Sequence, residues 1–201
     1  LCLNLGFEGD LRAAGASETN RWLMESWDVE NATWDLADPA SVPPISYVSF
    51  PSMKDPALAG DRMVRHTGEA LAFVRWDAFE RWKDTRWGRR GDAYDAFKAD
   101  VEERLVAHLR RRLPTIMAHL SYHEMSTPLS THHFTRSWGG SMYGFESTPA
   151  RFENPNLCAR TPYPGLFLSG ADVVAPGVAG ALVSGALTAA SISPRLFVRL
   201  L

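Results

Sequence analysis

A chain of 201 residues that is 45% hydrophobic and 22% charged has the composition of a globular protein. It is long enough for one domain, or two small ones, with a real core. Its net charge of −2 argues against a general nucleic-acid binder. Cys2 and Cys158 form no disulfide framework, and no basic segment followed by a long apolar stretch marks a signal peptide.

The chain opens on alternating Leu1, Leu3 and Leu5, which predicts a strand over residues 1–7. Because it begins inside a strand pattern and without methionine, the sequence reads as a piece of a longer protein or a processed product. Residues 18–35 are mixed, with Trp22, Leu23, Trp27 and Trp34 set among charges, and Asp38-Pro39 and Pro43-Pro44 mark a loop. Ile45 to Phe50 alternates and is rich in β-branched and aromatic residues, so it is a second predicted strand. Pro51 to Pro56 is a turn region, and Glu69 to Trp76 is a further strand with Leu71 and Phe73 on one face.

Asp92 begins the clearest helix, as a predicted N-cap with Asp95 at the capping-box position. Tyr94, Phe97, Val101, Leu105 and Leu109 make one apolar stripe. Acidic residues crowd the first half and Arg110, Arg111 and Arg112 crowd the end, an order that suits the helix dipole. Pro114 stops this helix, and the arginine triplet reads as its solvated end. Residues 119–125 form a predicted strand leading to Thr127-Pro128, and residues 137–147 are glycine-rich and turn-like.

Near the end, Leu166-Phe-Leu168 is a short apolar run between Pro164-Gly165 and Gly170, the pattern of a buried strand. Asp172 follows it, where open α/β sheets bind ligands. Pro176 and Gly177 then open a helix rich in glycine and alanine, whose backbone amides can face an anion or a polarised carbonyl. The same residues also fit a small-residue helix packed tightly on a sheet. The uncharged run from Ala175 to Pro194 is too thin in hydrophobic residues for a membrane span.

Other chemistry is sparse. His119 and His123 are four apart with Glu124, His132 and His133 nearby, but the HExxH order is absent and the context is β-like, so no metal site is expected. There is no GxSxG around a serine, no Walker motif and no GxGxxG. Seven tryptophans and ten phenylalanines either line an apolar tunnel or fill a core.

The segment from Arg160 through Gly170-Ala-Asp172 to Gly177-Val-Ala-Gly180 resembles the closing FAD-binding segment of the phytoene desaturase, carotenoid isomerase and retinol saturase group of flavoproteins. Ser46-Tyr-Val-Ser-Phe-Pro-Ser-Met-Lys-Asp55-Pro56 resembles a stretch of that group's substrate domain, and Trp82 and the helix with Lys98 and Leu105 stand where it has its long helix. Thr127-Pro-Leu-Ser-Thr131 with Gly139-Gly-Ser-Met-Tyr143-Gly144 is similar to a further element, and all stand in the family's order.

The resemblance implies an α/β protein: a substrate-domain sheet covered by helices over residues 1–134, then a return into a Rossmann-like FAD domain over 135–201. It implies FAD as cofactor, with Gly170, Ala171 and Asp172 near its ribityl and pyrophosphate region and Val178, Ala179 and Gly180 beside the isoalloxazine. His132, His133, Tyr143 and Gly144 are expected to line an apolar, carotenoid- or retinoid-like substrate, and no catalytic acid or base is assigned. The missing glycine motif implies an FAD-binding region elsewhere in the polypeptide or on a partner chain. An amine-oxidase-like flavoenzyme and a non-catalytic subunit are the alternatives. A cytoplasmic setting is expected, with peripheral membrane contact left open for a lipid substrate.

Overall fold

In a computed structural model, which describes residues 1–30, 32–58 and 65–195, the chain divides into two units, Leu1–Gly140 and Ser141–Leu201. The first contains strands β1 (Cys2–Glu8), β2 (Arg21–Met24) and β3 (Ile45–Ser49), helix α1 (Pro51–Lys54), strand β4 (Arg65–Ala72) and helix α2 (Asp77–Glu80). Helix α3 (Asp92–Arg112), helix α4 (Pro114–Met117), strand β5 (Leu120–Ser126) and helix α5 (Pro128–Thr135) complete it. The second unit holds α6 (Pro149–Phe152) and α7 (Gly177–Ile192).

The five strands form one antiparallel sheet in the order β2-β3-β4-β1-β5. Side chains alternate across a sheet, so register decides which residues share a face. Leu3 pairs with Ala70 and Met125, Leu5 with Gly68, and Val48 with Ala70. That face is buried in one core with Val101, Leu105, Val106 and Leu109 of α3.

β4 meets this face with small residues. A Cβ on Gly68 would stand 2.8 Å from the Phe7 ring and 3.3 Å from that of Phe50. The two phenylalanines occupy the volume a larger residue would need. The strand expected over residues 69–76 runs earlier, over Arg65–Ala72, and Phe73, beyond its end, is 39% exposed.

Helix α3 keeps the predicted stripe and also buries Val106 and His108, which periodicity did not single out; His108 is 1% exposed. Its N-cap is Gly91 rather than Asp92, and no side chain caps it. Asp92 and Asp95 lie within the first turn, where their charges still favour the positive end of the dipole.

His108 Nε2 has no hydrogen-bond partner among the described residues, and Nδ1 lies 3.9 Å from Glu25 Oε1. Burial lowers its pKa below the ordinary 6.5; Glu25 opposes this, and Arg111 and Arg112 add to it. The unfolded chain thus binds this proton more readily than the folded one. The stability held by neutral His108 is complete above pH 6.5 and is lost as pH falls from there towards the lowered value. Urea midpoints measured between pH 5 and 8 (roughly the histidine titration range) should decline on the acid side. His108→Leu should flatten that decline; an unchanged profile in the variant would rule the histidine out as its source.

In the second unit the expected buried strand at Leu166–Leu168 is not formed. Only an isolated bridge joins Phe167 to Arg160, and Leu166 and Leu168 are 52% and 40% exposed. A strand needs a neighbour with free backbone groups. Here the Leu168 N–H donates to Ala159 O at 2.9 Å, and threonine hydroxyls take the other positions: Thr161 donates to Leu166 O and Thr188 to Leu168 O. The helix expected after Pro176 does form, with Pro176 as its N-cap. Among the described residues no helix is long and apolar enough to cross a membrane. Residues 196–201, the end of the second expected domain, lie outside the described residues.

Candidate functional site

Two turns and the start of α7 gather most of the second unit's predicted residues. Gly144 adopts φ +74°, and a Cβ there would stand 2.0 Å from Asp172 Oδ1. Only glycine satisfies both the left-handed backbone and the contact. Asp172 Oδ1 accepts the Phe145 N–H at 2.9 Å. Arg151, 8% exposed, donates to Phe145 O at 2.6 Å and to Ala171 O at 2.5 Å. The Gly170 N–H donates to Ser184 Oγ at 2.9 Å, and Ser184 is fully buried in α7.

Gly144, Gly170, Ala171 and Asp172 therefore belong to one hydrogen-bonded framework tied to α7. Gly180 joins it by close packing, since a Cβ there would stand 1.9 Å from Ala175 O. Val178 is 80% exposed, Ala179 is exposed and Tyr143 is 57% exposed. No side chain caps α7, so its first-turn amides are not taken by a cap. A Cβ on Gly170 or Gly177 would meet no atom within 4 Å. Open space over Gly177, the first residue of this uncapped helix, leaves room for a flat ring with a polarised carbonyl edge.

His132 and His133 lie in the first unit, on α5. His132 Nδ1 donates to Ser137 O at 2.9 Å, and its ring lies 5.6 Å from that of Trp76. His133 stacks on Trp87 at 5.6 Å and 12°, with Phe134 edge-on at 4.9 Å. The other histidine pair is separated: His119 Nδ1 donates to Glu8 O, and His123 Nδ1 pairs with Glu102 at 2.8 Å. Among the described residues no group of three or more His, Cys, Asp or Glu side chains is arranged to hold a metal ion.

The sheet face opposite the core is apolar at one end. Trp22, Met24, Ile45 and Phe73 line a groove of about 550 Å³ with Val29, Glu30, Ala32 and Thr33. Trp22 also packs edge-on against Tyr47 at 5.2 Å. Sequence reasoning named neither this groove nor Arg151. The alternation was the available signal for the groove, because Trp22 and Met24 flank the core residue Leu23. For Arg151 no pattern exists, since its partners are backbone carbonyls.

No known family profile matches this chain. Over 200 residues it is 26% identical to an all-trans-retinol 13,14-reductase of Danio rerio, covering 96% of this chain and 33% of that protein. The chain is similar to the retinol reductases. It is 28% identical to the Rattus norvegicus all-trans-retinol 13,14-reductase over 76% of the chain and 26% of that protein. A second Danio rerio protein, an inactive all-trans-retinol 13,14-reductase, is 28% identical over 94% of the chain and 32% of its own length. The chain thus spans about a third, at most, of the length of these relatives. An inactive protein matches as well as active ones, so likeness over this stretch does not separate the two.

Proposed function

We propose that this chain is the C-terminal part of an FAD-dependent oxidoreductase that acts on a retinoid or a similarly apolar polyene. The likeness to retinol reductases over 96% of the chain carries the reading. Residues 1–134 would serve substrate binding and residues 135–201 would return to the FAD domain. When bound, FAD supplies hydride transfer, and the protein supplies orientation and electrostatics.

The residues present fit the ring end of that cofactor. The exposed Val178 and Ala179 would lie against the ring, and the α7 amides would donate to its polarised edge. The turn at Gly170, Ala171 and Asp172 would border the ribityl chain. The pyrophosphate needs a glycine cradle that these 201 residues lack. It would be held by residues beyond this stretch, on the same polypeptide or on a partner chain. The groove beside Trp22 and Phe73 offers an apolar wall in the first unit. Tyr143, Gly144, His132 and His133 remain substrate-lining candidates from the family resemblance. Peripheral membrane contact would suit an enzyme that takes such a substrate.

The test uses the full-length protein that contains this chain. It should purify with flavin absorption bands, and all-trans-retinol with a reductant should give a product two hydrogens heavier by mass spectrometry. Flavin without retinol turnover would keep the cofactor and overturn the substrate. A protein that neither retains nor takes up FAD would overturn the proposal as a whole.

A further inference from the structure

We propose that Arg151 is a positioning residue that fixes the two flavin-side turns against each other by clamping the Phe145 peptide. The inference rests on the flavin reading above. Phe145 is held at both of its backbone polar groups: Asp172 Oδ1 takes its N–H at 2.9 Å and Arg151 takes its carbonyl at 2.6 Å. The second arm of the same guanidinium holds Ala171 O at 2.5 Å. One planar fork thus spans two turns far apart in sequence with two donor nitrogens held in fixed relation, where an ammonium would have to reach both carbonyls from a single nitrogen.

The burial of Arg151 supports a specific role. It is 8% exposed, and no carboxylate forms an ion pair with it among the described residues. Burying a guanidinium without a counter-charge is costly unless its donors are satisfied. Here carbonyl oxygens on both turns accept from its two terminal nitrogens. The Thr148 hydroxyl caps the short helix carrying Arg151 by accepting its N–H at 3.3 Å. With Gly144 wedged on Asp172, the clamp sets where Tyr143 and Gly144 stand relative to Gly170 and Ala171. Each of these is a predicted flavin- or substrate-facing residue, whereas the Arg151 guanidinium is turned to the backbone carbonyls of Phe145 and Ala171.

The experiment compares full-length wild type with R151Q, R151K and D172A. It measures the FAD dissociation constant, the visible spectrum of bound flavin and the melting temperature. R151Q should weaken FAD binding about tenfold, equivalent to about 1.4 kcal/mol, and shift the flavin bands. D172A should act in the same direction, and R151K, with one donor point, should fall between R151Q and wild type. If R151Q does not fold, R151K carries the test. Wild-type affinity and spectrum in R151K or R151Q would overturn the proposal, as would a lower melting temperature with flavin properties unchanged. A wild-type protein without FAD affinity would overturn the flavin reading and this inference together, and the two failures are told apart by the wild-type measurement.

Discussion

Trp34→Ala should cost the first unit about 3–5 kcal/mol, the usual range for deleting a fully buried aromatic ring. Trp34 is 2% exposed and is tied in three ways. Its backbone N–H donates to Phe73 O at 2.7 Å, its Nε1 donates to Ser41 Oγ at 2.9 Å, and the Arg104 guanidinium lies 5.0 Å from its ring centre. Arg104 also donates to Asp38 O at 2.7 Å, so ring and guanidinium together hold the loop from Asp35 to Ser41 on the core. Alanine would leave a cavity and release that loop. Trp34→Phe keeps most of the apolar contact and gives up the Nε1 bond, a loss of about 1 kcal/mol. Urea denaturation followed by circular dichroism separates the two, and an alanine variant within 1 kcal/mol of wild type (roughly the hydrogen bond alone) would show that the ring does not anchor the loop.

Gly180→Ala should have the largest effect in the second unit. The new methyl would meet Ala175 O at 1.9 Å and its carbonyl carbon at 2.5 Å, both backbone atoms. No side-chain rotation relieves such a contact, so the segment leading into α7 must move. Overpacking of this kind costs about 1–3 kcal/mol. The displacement falls on the helix start that we assign to the flavin ring. In the full-length protein, FAD affinity should drop by an order of magnitude or more, roughly the equilibrium change that about 1.4 kcal/mol produces. Gly185→Ala is the control on the same helix: Gly185 is exposed and its Cβ would meet nothing within 4 Å. That change should leave FAD binding alone and add about 0.5–1 kcal/mol to stability. Equal FAD affinity in the two variants would refute the close-packing argument.

The first unit was largely legible in its sequence. β1 and α3 follow from alternation and a 3.6-residue stripe, because each buries one side and solvates the other, and β3 follows from its β-branched and aromatic residues although it is buried on both faces. The limits of β4 were not, since its buried face consists of Gly68, Ala70 and Ala72, which periodicity does not mark as core. His108 escaped because a buried histidine leaves no hydrophobic signature. In the second unit the helix after Pro176 was readable from its proline and small residues. The strand at Leu166–Leu168 was misread because an apolar triplet reports a preference, whereas a strand also needs a partner. The framework around Phe145 was invisible: it joins a carboxylate, a guanidinium and backbone groups that only the folded chain brings together.

During synthesis, β1 waits longest for its partners. It precedes both of its neighbours in the chain, yet it lies between β4 at residues 65–72 and β5 at residues 120–126. The β2-β3-β4 meander can assemble from adjacent segments, whereas β1 must close two long loops, which makes its docking entropically late. A nascent chain halted before Ser126 would leave one edge of β1 unfilled beside its row of Leu3, Leu5 and Phe7. Such an edge is a template for pairing with another copy. Chaperone occupancy on translating ribosomes should therefore peak before β5 is released and decline once it can dock.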